Sequence, residues 1–247
     1  MVNMLIVAIE VAVIAAASFL AWRAPLWFAG LTFVLALGLG LRLDVERLAH
    51  ESPFYFGRVG GFARPVQLIF GCGEAAFKAV LAAAIALITF SGTDAWRLQT
   101  TAALFGGLVL FGSALLRRLT VSLAVRPARW GYFRMAAPFG LLFSLGMSFF
   151  PPPNLAGLAW RALFEVPQRP NLAQLAETLF QVRMWADDMV VRVLNPFLGA
   201  DAARVAGLVI SSNVLTGFLV ALYAVAVSEI VRGMEERWWR REARGGT

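Results

Sequence analysis

The sequence predicts an all-α, polytopic membrane bundle of about six transmembrane helices, with a helical extramembrane insertion between the last two. Three observations carry that reading. Of 247 residues, 60% are hydrophobic and only 15% charged, whereas soluble domains sit near 45–50% apolar and about 25% charged. The apolar residues come in blocks of about 20, the length that crosses a ~30 Å hydrocarbon core. Arginines gather in alternate segments between those blocks, which is the pattern that orients a multi-pass chain.

The elements follow in order. A first span covers about Asn3 to Trp22 and is broken only by Glu10; its opening Met1-Val2-Asn3 lacks Lys and Arg, so it reads as a span and not as a cleaved signal. Trp22-Arg23-Ala24-Pro25 is a tight turn whose proline suits the first position of the next helix. Span two, Leu26 to Leu41, is short, and LRLDVERLAHE keeps Leu41, Val45 and Leu48 at helical spacing, so the helix is expected to run on into water. Ser52-Pro53 and Gly60-Gly61 are breakers.

Span three opens at Pro65 and reaches about Phe90, span four covers Gln99 to Leu116, and span five covers Met135 to Phe150 with Pro138 inside it. Pro151-Pro152-Pro153 stops span five. Residues 1–150 thus form a membrane domain, 151–204 an insertion, and 205–247 a last span (Val205 to Val231) followed by a basic tail.

Arginine counts set the expected orientation. Arg42 to Arg64 holds four, Arg117 to Arg134 five, and the tail from Arg232 five, against one each at Arg23 and Arg97. The three rich segments share a side only with six spans and both termini inside, so the insertion is expected on the outer, periplasmic face. Arginine outnumbers lysine 21 to 1, which fits the codon usage of a GC-rich bacterium and a bacterial inner membrane.

Three ionisable residues fall inside spans: Glu10, Glu74 and Lys78, the last being the only lysine. A lone charge at mid-membrane costs a few kcal/mol, so such groups pair or line a wet cavity. Glu74 and Lys78 share a helix face in the favourable order. Glu10 and Glu74 lie about 10 and 13 Å from the inner ends of their helices, close enough in depth for all three to meet. Either a proton or ion relay or a packing device is compatible with them. Ser211, Ser212, Asn213 and Thr216 of the last span are candidates for polar lining or for interhelical hydrogen bonds. Small residues recur every four positions at Gly71, Ala75, Ala79 and Ala83, at Ala8, Ala12 and Ala16, and at Ala203, Gly207 and Ser211, as helices in close contact require.

The insertion contains an amphipathic helix, N-capped by Asn171 and bounded by Pro196. Leu172, Leu175, Leu179, Val182, Ala186, Met189 and Val193 alternate by threes and fours over three heptads. Such a stripe lays one face on something else: the chain's own bundle, the outer membrane surface or another protein. Glu177, Asp187 and Asp188 balance Arg183 and Arg192, so the polar face lacks the basic excess of a lipid-surface helix and favours protein.

Site chemistry is sparse. Cys72 is the sole cysteine, and one thiol builds neither a disulfide nor a zinc site. His50, the sole histidine, stands beside Asp44, Glu46 and Glu51 on the helix continuing span two, which salt bridges explain without a metal. No nucleotide loop, zinc motif or nucleophile elbow occurs, no cofactor is implied, and the net charge of +7 is spread along membrane edges instead of forming a nucleic-acid face. The expected function is an inner-membrane subunit or scaffold that assembles with other membrane proteins or with itself. The alternatives are a transporter or channel subunit using the Glu/Lys cluster, and a lipid enzyme working through the basic loops.

Overall fold

The computed structural model describes residues 2–56, 63–91, 95–123, 131–150, 171–211 and 213–245, with side chains over 4–43, 69–91, 95–122, 135–150, 171–211 and 213–238. All regular structure in it is helical: α1 (Val2–Arg23), α2 (Pro25–Phe56), α3 (Ala63–Phe90), α4 (Ala95–Leu123), α5 (Gly131–Ser148), α6 (Leu172–Leu198), α7 (Ala200–Ile210) and α8 (Asn213–Gly245). Five of these (α1, α2, α3, α4, α8) are long and apolar enough to cross a membrane, and α5 contributes a shorter apolar stretch, Met135–Ser148. The chain is a multi-pass helical membrane protein.

Local signals place most boundaries. Pro25 opens α2 directly after the Ala24 turn, where Ala24 N donates to Leu20 O and Phe28 N to Ala24 O, so α1 and α2 form a tight hairpin. As expected, α2 continues well past its apolar part, and it does not stop at Pro53 but runs to Phe56. Asn171 caps α6 through a reciprocal capping box with Gln174. Pro196 does not end α6: the helix completes two more residues and stops at Gly199, whose φ of +78° few side chains tolerate. What reads as one last span is divided, since α7 ends at Ile210, with Ser211 as its C-cap, and the membrane-length helix starts at Asn213.

α8 is the axis. Its apolar window is 72% buried, against 28–39% in the four other long helices, so α8 is apolar on every side because protein surrounds it. It packs chiefly on α5 and α4, and α2 packs along α3 while α1 lies along α4 and α2. A knot of fully buried rings joins four helices: Phe28 (α2), Phe90 (α3), Phe105 (α4) and Tyr223 (α8), with centroids 5.1–5.7 Å apart. Edge-to-face geometry dominates, the arrangement ring quadrupoles prefer. Thr32 Oγ1 donates to Phe28 O at 2.7 Å. Its one proton is therefore used, and the 2.9 Å contact with Tyr223 is a phenol donating to Thr32.

α5 and α8 touch backbone to backbone. A Cβ on Gly217 would collide with the Ala136 carbonyl and the Gly140 backbone, and one on Gly140 with the Val214 carbonyl. Of the small-residue ridges, Gly71, Ala75 and Ala79 are buried, as are Ala203, Gly207 and Ser211. Ala8, Ala12 and Ala16 instead face outward, because α1 turns Ile6, Glu10, Ile14, Ala17 and Ala21 inward.

Gly217→Val should destabilise the bundle by about 1–3 kcal/mol through overpacking. Gly30→Ala, where an added Cβ meets nothing, should be neutral or slightly stabilising. Thermal melting of both variants in detergent checks this, and equal midpoints would refute the backbone contact.

Candidate functional site

The intramembrane charges resolve into separate local arrangements. Glu74 and Lys78 pair along one face of α3, Nζ to Oε1 at 2.8 Å, with the lysine buried and the glutamate half-buried. Glu10 does not join them. It is 2% exposed, and both of its partners come from α4: Ser113 Oγ donates to Oε1 at 2.6 Å, and Arg117 Nη2 stands 2.7 Å from Oε2. The reason is lateral. Depth allows Glu10 to meet any group at its level, but α1 lies along α4 and barely touches α3. Arg117 is 27% exposed at its side chain, so it reaches inward to the carboxylate while its outer edge stays wet.

Ser211, Asn213 and Thr216 take part in interhelical hydrogen bonds. They belong to a network at the opposite end of the bundle, centred on Arg183 of α6. Arg183 Nη2 donates to Asn213 Oδ1 at 2.8 Å and to Thr216 Oγ1 at 3.4 Å, and Nη1 donates to Thr89 Oγ1 at 3.2 Å. Thr89 and Thr216 also bond to each other at 3.2 Å. One helical turn on, Asp187 accepts from Ser211 Oγ at 2.9 Å, and that oxygen accepts from Asn213 N at 3.1 Å. Arg97 of α4 contacts Met184 Sδ at 3.4 Å. Ser212 lies outside the described residues.

Burial pushes the Arg183 guanidinium down to about 10, Asp187 pulls it back up, and Arg97 adds to the lowering. A cation whose value falls on folding opposes folding below that value, and the opposition fades only as pH rises through about 10. Arg183 therefore stays charged at neutral pH, and it introduces no pH dependence between about 5 and 8.

This network fixes which way α6 faces. Ala176 and Met184 are buried beside Arg183 and Asp187. The heptad stripe looks outward: Leu172 is 65% exposed, Leu175 and Leu179 42%, Met189 40% and Val193 56%, with Ala186 exposed and Val182 half-buried. α6 docks on its own bundle by its polar side, the reverse of what an amphipathic helix does on a globular core. The sequence signal for this was Arg183 and Asp187 at i and i+4 beside Ala176 and Met184.

No group of three or more His, Cys, Asp or Glu among the described residues is placed to hold a metal ion. The side chains around His50 lie outside the described residues.

Arg117→Met should leave a buried carboxylate without its counter-charge and lower stability by about 3 kcal/mol, the low end for breaking a buried pair. Glu10→Gln should cost less, about 1 kcal/mol, because an amide oxygen still accepts from Ser113. The double variant should be more stable than Arg117→Met alone, and unfolding titrations of the three proteins in micelles measure that coupling.

Comparison with known protein families, with curated proteins and with solved structures finds no match for this chain.

Proposed function

We propose that this protein is a non-catalytic subunit or scaffold of a bacterial inner-membrane assembly, with both termini cytoplasmic, and that it engages a partner membrane protein through the outward stripe of α6. The observation that carries this reading is the orientation of that helix. Its opposite side is held by Arg183 and Asp187, while Leu172, Leu175, Leu179, Met189 and Val193 remain exposed. A rigidly mounted, 3.5-period apolar seam is the half of a helix–helix interface that a partner helix completes.

The orientation rests on arginine placement. Arg42, Arg117, Arg118 and Arg232 all belong to the end of the bundle where α1 starts and α8 finishes, and Arg23 and Arg97 to the end that carries α6. The excess of positive charge marks the cytoplasmic side. The alternative, ion or proton movement through Glu10, Glu74 and Lys78, loses support because Glu10 is matched from α4.

Extraction in mild detergent should yield a particle heavier than the 26.9 kDa chain plus its micelle, with a second polypeptide in fixed ratio. Leu175→Glu with Leu179→Glu should release that polypeptide and leave the melting temperature within a few degrees of wild type, since both side chains are exposed. Lys78→Met with Glu74→Gln should leave the particle intact. A monodisperse single-chain particle that supports flux when reconstituted, and loses it in Glu74→Gln, would refute the scaffold reading.

A further inference from the structure

α2 and α8 separate at the arginine-rich end of the bundle. The two helices are joined at Thr32–Tyr223 and diverge beyond it, leaving a groove of about 990 Å³. That is at the upper end of ligand clefts, which run about 300–1,000 Å³. Its inner part is apolar, walled by Leu31, Val34, Leu35 and Ile230. Its mouth is charged, with Arg42, Arg232 and Arg237 against Glu229 and Glu236, a sum of +1. Both carboxylates bind Arg232, each at 3.4 Å, so the positive excess is carried at the rim by Arg42 and Arg237.

Length matches one leaflet. From Leu31 to Arg42 the helix rises about 16 Å, half of a ~30 Å hydrocarbon core. The groove therefore begins near mid-membrane and ends where headgroups lie. Its apolar walls are exposed, Val34 at 65% and Ile230 at 53%, so it opens sideways toward lipid.

We infer that this groove is a binding site for one anionic phospholipid, an acyl chain lying between Leu31, Val34 and Ile230 and the phosphate held at Arg42 and Arg237. An apolar trough of leaflet depth selects an acyl chain over a soluble anion, and basic pockets between spans on the inner side recruit anionic headgroups. The site is independent of the α6 stripe, which lies at the other end of the bundle. Gly38 and Gly233 both border the groove, and a Cβ added to either meets nothing within 4 Å. Larger side chains there occupy the space of the lipid without displacing protein atoms.

The test places the full chain in nanodiscs of equal phosphatidylglycerol and phosphatidylcholine with identical acyl chains, then releases it for native mass spectrometry. The expected result is one retained phosphatidylglycerol, preferred over phosphatidylcholine by about tenfold. Gly38→Leu with Gly233→Leu should lose the retained lipid while circular dichroism and melting stay at wild-type values. Arg42→Gln with Arg237→Gln, both at exposed positions, should keep a lipid bound but bring the two headgroups within about twofold. Wild-type retention in the leucine variant, no headgroup preference in the wild type, or displacement by millimolar inorganic phosphate would each overturn the assignment. The last outcome would mark a site for a soluble anion.

Discussion

The carboxylate of Glu10, 2% exposed among apolar helices, constrains much of what surrounds it. Inside a low-dielectric slab an ionised group has to be matched by a donor and a counter-charge. Ser113 and Arg117 provide these from successive turns of α4, so the register of α1 on α4 is set by chemistry as well as shape. A one-turn slip of α1 toward the middle of α4 would bring the carboxylate level with Val109 and leave Arg117 a turn away. α4 in turn supplies Phe105 to the ring knot and Leu104 to the contact over Gly146, so the register of one pair carries into the packing of α2, α3, α5 and α8.

The three charges that read from sequence as one cluster show where such reading stops. Glu74 and Lys78 are legible because four residues on a helix fix two side chains on one face whatever the tertiary structure. Ser113 lies 103 residues from Glu10, and depth alone does not say which helix stands beside which. Arg117 read as a topological anchor, since a cation at a helix end usually is one. The α6 stripe has the same lesson in another form. Periodicity locates an apolar face, but the direction it looks depends on which side holds the stronger attachment. In α6 that is Arg183, with bonds to Thr89, Asn213 and Thr216. The position of α8 at the centre was signalled by its apolar character on all sides, from Thr216 to Val227, although a lipid-surrounded span reads alike.

The middle of the bundle, among the described residues, is closely joined. Rings from four helices meet there with centroids 5.1–5.7 Å apart, Tyr223 donates to Thr32, and Gly140 and Gly217 bring two backbones into contact. A pathway through this layer would need several of those contacts to open together, and packed interiors resist such change. Chemistry is concentrated instead at the two ends: a hydrogen-bonded clamp that mounts α6 at one, and an open groove with an arginine rim at the other.

That division accords with the proposed role of a partner-holding membrane subunit. A membrane subunit whose task is to hold a neighbour and sit in a particular lipid needs no nucleophile, no metal ligands and no poised carboxylate. It needs surfaces held rigidly in place. Rigidity comes from the features sequence reading finds least conspicuous: a hydroxyl under a carboxylate, a threonine pair joined by an arginine, and glycines where helices cross. The polar groups here are spent on fixing geometry, and the apolar surfaces that remain, the stripe of α6 and the trough between α2 and α8, are where the physical chemistry leaves something still to be bound.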